Sequence, residues 1–183
     1  MGAKFGPRST LQLVAVDENG SDLGTVSMAD AHMYPGIRHR AFSAYLFNSD
    51  GHLLVHQRSR EKALWTGFWT NSCCSHPRAG QELSAAVTLR IQEELGAAGV
   101  LCQERFAYEY RAEFKELGVE HEFVHVMTGS VEARDLSPDP TEVAKHRFLA
   151  PEDVDALIAG PTPTTPWFEL AWERMRSSLE FTD

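Results

Sequence analysis

The chain has 183 residues, 43% hydrophobic and 23% charged, enough to bury one core, so a single domain spanning residues 1–183 is expected. Asp and Glu outnumber Lys and Arg by 26 to 17, a formal charge of −9, which excludes broad electrostatic attraction to nucleic acid or an anionic membrane. No apolar run approaches the roughly 20 residues that cross a bilayer, and Cys73, Cys74 and Cys102 do not form the even set of a secreted disulfide framework. A cytoplasmic monomer with free thiols is expected, with Met1 to Thr10 as a flexible leader.

Leu11 to Val16 is apolar and β-prone and runs into Asp17-Glu18-Asn19-Gly20, a turn signal. Ala41 to Phe47 and His52 to Gln57 flank Asn48-Ser49-Asp50-Gly51 and predict a hairpin. Trp65 to His76 mixes aromatic, β-prone and polar residues, and predicts a strand that runs out into a loop before Pro77. From Glu82 to Leu95 the period becomes helical: Leu83, Val87, Ile91 and Leu95 recur every fourth residue, and Gly96 stands where a helix C-cap belongs. Phe106 to Phe114 and His121 to Thr128, joined through Lys115 to Gly118, predict a second hairpin. Pro151 to Ala159 and Phe168 to Leu179 have helical spacing, separated by a proline-rich loop that no helix crosses. Together these predict an α+β fold, a mixed β-sheet flanked by helices.

Glu120-His121-Glu122 opens a predicted strand, where alternation sends the two carboxylates to one face and His121 to the other. Such a pair either holds a cation or forces one member to keep its proton; a solvated acidic edge is the competing reading. Cys74 and His76, if extended, also share a side, and Cys73 then points away from them. With His32 and His39 upstream, three histidines and two carboxylates would suit a divalent metal if the fold gathers them. Arg58, Lys62 and Arg90 are candidate anion ligands, although Arg90 lies four residues before Glu94 and an ordinary helical ion pair would also account for it.

His76-Pro77-Arg78-Ala79-Gly80, followed by the helix ending Glu93-Glu94-Leu95-Gly96, is similar to the Nudix signature. Nudix hydrolases have Glu, Arg and Glu where this chain has Gln81, Leu89 and Arg90, so much of the carboxylate set for hydrolysis is missing. The same departures mark type I isopentenyl diphosphate isomerases, which the chain resembles from Leu11 to Trp167 through Thr70-Asn71-Ser72-Cys73-Cys74-Ser75-His76-Pro77, Glu120-x-Glu122 and Thr165-Pro166-Trp167. The resemblance implies a Nudix-like fold and isomerisation of isopentenyl diphosphate to dimethylallyl diphosphate. It implies Cys74 and Glu122 as the acid/base pair, with Tyr110 and Trp167 lining the hydrocarbon pocket. It implies His32, His39, His76, Glu120 and Glu122 as ligands of one divalent metal (Mn, Mg or Zn), and Glu94 as holder of a Mg bridged to the diphosphate. Arg58, Lys62 and Arg90 would neutralise the diphosphate oxygens. A lysine common in the family before the first histidine is replaced by Met28, so a phosphate contact is either lost or supplied elsewhere, for instance by Arg38 or Arg40. The alternatives are a Nudix-type diphosphate hydrolase and a catalytically silent binding module.

Overall fold

The computed structural model describes residues 8–179. Nine strands form one curled mixed sheet: β1 (Gln12–Val16), β2 (Asp22–Ser27), β3 (His39–Phe47), β4 (Leu53–Arg58), β5 (Trp69–Thr70), β6 (Cys73–Ser75), β7 (Cys102–Phe114), β8 (Gly118–Ser130) and β9 (Val143–Leu149). Four α-helices accompany them: α1 (Met28–His32), α2 (Leu83–Leu95), α3 (Pro151–Ala159) and α4 (Pro166–Leu179).

Strand β3 organises the sheet. One of its edges is taken along its whole length by β8, running parallel from His39↔Glu122 to Phe47↔Ser130. The other edge is shared in turn by β1 at His39, β6 at Phe42 to Ala44, and β4 at Phe47. The β3/β4 hairpin is therefore present but splays at once: its closing pair is Phe47↔Leu53, after which β4 leaves to pair with β5 and β9. Trp65 to His76 departs from the single strand expected. It holds two short strands, because Asn71 and Ser72 turn their side chains inward to bond the carbonyls of Ala44 and Leu54 and so break the run between β5 and β6.

Alternation along β3 splits the core in two. Ala41 and Tyr45 face an aromatic layer with Trp65, Tyr108, Trp167, Phe168 and Trp172, which α4 covers. Phe42, Ala44 and Leu46 face α2 through Ala86, Val87, Ile91 and Leu95. Each fully buried aliphatic side chain contributes about 1.5–3 kcal/mol, so Ile91→Ala would cost about 2–5 kcal/mol through the cavity it leaves. Helix α2 stops at Gly96, whose left-handed φ of 72° suits glycine and whose added Cβ would strike the Ser137 carbonyl at 2.5 Å. Beyond it, Ser137 and Asp139 donate their backbone N–H groups to Leu95 and Glu94, tying the loop before β9 to the end of α2. Among the described residues no helix is long and apolar enough to cross a membrane.

Candidate active site

One cavity of about 460 Å³ opens beside β3, β6 and β8, and it is lined by Cys74, His76, Tyr110, Glu120, Glu122 and Trp167 together with His32, Arg58, Lys62, Arg90 and Glu94. Every site residue named from the sequence lines it except His39, Arg38 and Arg40, and His39 joins through the histidine cluster.

At one end, His32, His39, His76, Glu120 and Glu122 converge: one ligand atom from each lies within 4.8 Å of all the others. Local structure explains how. The parallel register sets His39 directly beside Glu122, and β8 turns Glu120 and Glu122 to the same buried face while His121 points the other way to Glu109. Ser27 caps α1 by accepting from the Asp30 N–H at 3.1 Å, and the helix ends with His32 in place. The His32 and His39 Nδ1–H groups donate to the Met28 and Ile37 carbonyls, each at 2.7 Å, which turns both Nε2 atoms toward the cluster. Metal-binding histidines are held in this way. His39 Nε2 is buried without a hydrogen-bond partner among the described residues, a donor awaiting an electrophile. The residues therefore fit a divalent cation.

The electrostatics agree. Burial works against a charge on His32, but the Glu120 carboxylate 2.9 Å away outweighs it and lifts the imidazole to about 9. Burial, reinforced by His76 and His32, keeps His39 well below its usual value and so neutral. Burial opposes charge on Glu120 too, yet His32 beside it pulls its carboxyl below the usual range. Glu122 accepts from the Tyr110 hydroxyl and lies against His76 Nε2, both at 2.6 Å.

Cys74 lies on the other edge of β3 from β8, paired with Ser43, four positions along β3 from the residue that pairs with Glu122. Its half-buried thiol donates to Asn71 Oδ1 at 3.0 Å, and burial lifts it to about 11, so it rests as S–H. Cys73 points into the opposite core layer, as alternation requires. Trp167 is fixed by its indole N–H donating to Thr70 at 3.1 Å, and the Arg58 guanidinium stands 5.4 Å from its ring centroid.

The far end is ionic. Arg90 bonds both Glu93 and Glu94, so the ordinary helical pair and the cavity position are both real. Lys62 pairs with Glu142 and stands 3.7 Å from Glu94. Burial opposes charge on Glu94, but Lys62 and Arg90 hold its carboxyl well below the usual range. Arg38 and Arg40 do not serve this end: they pair with Glu109 and Asp22 and do not line the cavity. Sequence reasoning missed Arg8, Ser43, Asn71 and Glu142. Asn71 lay inside a quoted motif, whereas Glu142 is delivered by the loop tied to α2 and has no local signature.

A curled mixed sheet with α2 against one face and an acidic helix end at the cavity defines a Nudix-class protein, and a family model of the NUDIX domain matches residues 37–168. The fold is similar to DR0079 from Deinococcus radiodurans, with a TM-score of 0.70 and 21% identity over 89% of this chain and 98% of that one. Within that class, the chain belongs to the isopentenyl-diphosphate Delta-isomerases: it is 40% identical to isopentenyl-diphosphate Delta-isomerase 1 of Photorhabdus laumondii subsp. laumondii over 87% of this chain and 92% of that one. It is 43% identical to the isopentenyl-diphosphate Delta-isomerase of Nocardia farcinica over 83% of this chain and 87% of its relative.

Proposed function

We propose that the protein converts isopentenyl diphosphate to dimethylallyl diphosphate, with Cys74 and Glu122 exchanging protons with the hydrocarbon chain. The observation that carries this reading is that a thiol and a carboxyl group on either side of β3 open onto one cavity with an ionic end and an aromatic end.

Adding a proton to the terminal methylene carbon leaves a tertiary cation, and removing one from the carbon beside it, on the diphosphate side, moves the double bond. One of the two groups gives and the other takes, and they trade places in the reverse reaction. Tyr110 orients Glu122 through its 2.6 Å hydrogen bond, and Asn71 orients the Cys74 sulfur. The Trp167 face stabilises the cation without offering a nucleophile to capture it. Leu64, Phe42 and Met28 complete an apolar wall that excludes water.

His32, His39, His76, Glu120 and Glu122 would hold a divalent metal of the Mn, Mg or Zn type, and Glu94 would hold a Mg bridged to the diphosphate. When bound, such a cation supplies fixed positive charge that acidifies and orients a carboxyl group. Arg58, Lys62 and Arg90 neutralise the diphosphate oxygens. The free thiols and the acidic surface support a cytoplasmic monomer that uses neither nucleic acid nor membrane.

Incubation with isopentenyl diphosphate and Mg tests this. The expected product is acid-labile and allylic, with no phosphate released and with solvent deuterium entering its methyl carbon; release of phosphate or of a monophosphate would favour a hydrolase instead.

A further inference from the structure

The ionic end of the cavity poses a charge problem. Of the cations lining this end besides Arg8, Lys62 and Arg90 are salt-bridged to Glu94 and Glu142 and Arg58 donates to the Leu64 carbonyl; with Glu61 also in the lining, three cations meet three carboxylates. A diphosphate brings about three negative charges, and beyond the Mg that Glu94 would hold, this cluster offers it no net positive charge. Met28 lines the same cavity with an apolar side chain where a cation would help.

Arg8 supplies the missing charge. It lines the cavity, and its guanidinium stands 3.5 Å from Glu142 and 3.6 Å from Glu93. These contacts are long, and the side chain is 39% exposed, so it can be redirected at little cost. Its backbone is held where this matters. The Arg8 carbonyl accepts from the Leu11 N–H at 3.0 Å, the Ser9 carbonyl from Ala29 at 3.1 Å, and the Leu11 carbonyl from Met28 at 2.8 Å. The turn that carries Arg8 is thereby fastened to the first residues of α1, next to Met28.

From this geometry we infer that Arg8 is a diphosphate-binding residue, delivering from the N-terminal segment the cation that position 28 lacks. On binding, its guanidinium leaves Glu93 and Glu142 for the diphosphate oxygens, which a planar fork can contact in pairs. The inference rests on the isomerase reading.

The test compares wild type, Arg8→Ala and Arg8→Ala/Met28→Lys. Arg8→Ala is expected to raise KM for isopentenyl diphosphate about tenfold to a hundredfold, the loss of one charge-assisted contact, with kcat within about threefold of wild type. Met28→Lys, placing an ammonium group in the same cavity, is expected to recover most of that loss. Magnesium pyrophosphate binding, followed by calorimetry, is expected to weaken in the same proportion. Unchanged KM and unchanged pyrophosphate affinity in Arg8→Ala would overturn the inference while leaving isomerisation intact. Arg8-dependent pyrophosphate binding in a protein that turns over no isopentenyl diphosphate would instead sink the isomerase reading and leave the role of Arg8 standing.

Discussion

The Cys74 thiol donates to the side-chain oxygen of Asn71, whose own amide is pinned by the Ala44 and Cys73 carbonyls at 3.0 and 3.2 Å. The same oxygen accepts from Thr70, and the Thr70 hydroxyl meets both the Trp167 indole and Thr165. One buried amide thus sets the direction of the Cys74 sulfur and, through Thr70, of the Trp167 ring. Asn71→Ala strands two buried carbonyls and is expected to cost about 2–4 kcal/mol in denaturant unfolding. Thr70→Val, nearly the same shape, is expected to lower kcat with a smaller stability loss. A Thr70→Val enzyme with unaltered kcat would remove Thr70 from the positioning of Trp167.

Cys74→Ser is expected to lower kcat by about 10²–10⁴, the range typical of a lost acid/base group. Cys73→Ser buries a hydroxyl in the α2 layer within reach of Glu94 and should change kcat less than tenfold. Steady-state kinetics of the two variants check the alternation of β6, and equal losses would contradict it.

Glu122→Gln removes a member of the histidine cluster and, on the proposed mechanism, a proton-transfer group, and should abolish turnover. Tyr110→Phe removes the hydroxyl that donates to Glu122 and leaves the ring in the aromatic layer. It is expected to reduce kcat about tenfold to a hundredfold, with KM nearly unchanged. A rise in KM alone would assign Tyr110 to binding and not to the chemistry.

Much of this site is legible in the sequence because its parts obey short-range rules. Glu120 and Glu122 share a face by strand alternation, Cys73 and Cys74 separate for the same reason, and α2 with its Gly96 cap follows from four-residue spacing. What the sequence hides is pairing at long range. The contact of His39 with Glu122 depends on a parallel register across 83 positions, and nothing local to either residue states it. Strand β9 is missed because its outer residues are polar, as at an exposed edge, and β5 and β6 are merged because the break between them lies in the side-chain bonds of Asn71 and Ser72. Glu142 and Arg8 reach the cavity from loops whose positions are set by hydrogen bonds to α2 and α1.

The metal-free protein should respond to pH in a defined window. His32 is raised above its unfolded value of 6.5, so its contribution to stability is complete below pH 6.5 and is lost as pH climbs to about 9. His39 and His56 are depressed by burial, so they are neutral in both states above pH 6.5 and add no slope there. Melting temperature without metal is expected to fall between pH 6.5 and 9. A divalent ion needs the neutral imidazole, so its affinity should rise up to tenfold per pH unit across the same window, with a proton released on binding. Calorimetry in buffers of different ionisation enthalpy measures that proton; none released at pH 7.5 would mean that His32 is not displaced from its charged form.

Gly36 offers a test of how the histidines are oriented. It lies between His32 and His39 with φ of +86°, and a Cβ there would meet Val119 Cγ1 at 2.8 Å. The backbone next to it supplies the Ile37 carbonyl that fixes His39 Nδ1, so pushing this loop off β8 disturbs the ring through its hydrogen bond. Gly36→Ala is expected to cost about 1–3 kcal/mol through strain and overpacking, and to weaken divalent-metal binding about tenfold to a hundredfold. Gly51→Ala has a similar φ of +76° with nothing within 4 Å of the added Cβ, so it shares the backbone strain but not the clash. It should lose stability and keep its metal affinity. Equal metal affinity in the two variants would show that the cluster holds its geometry without the loop.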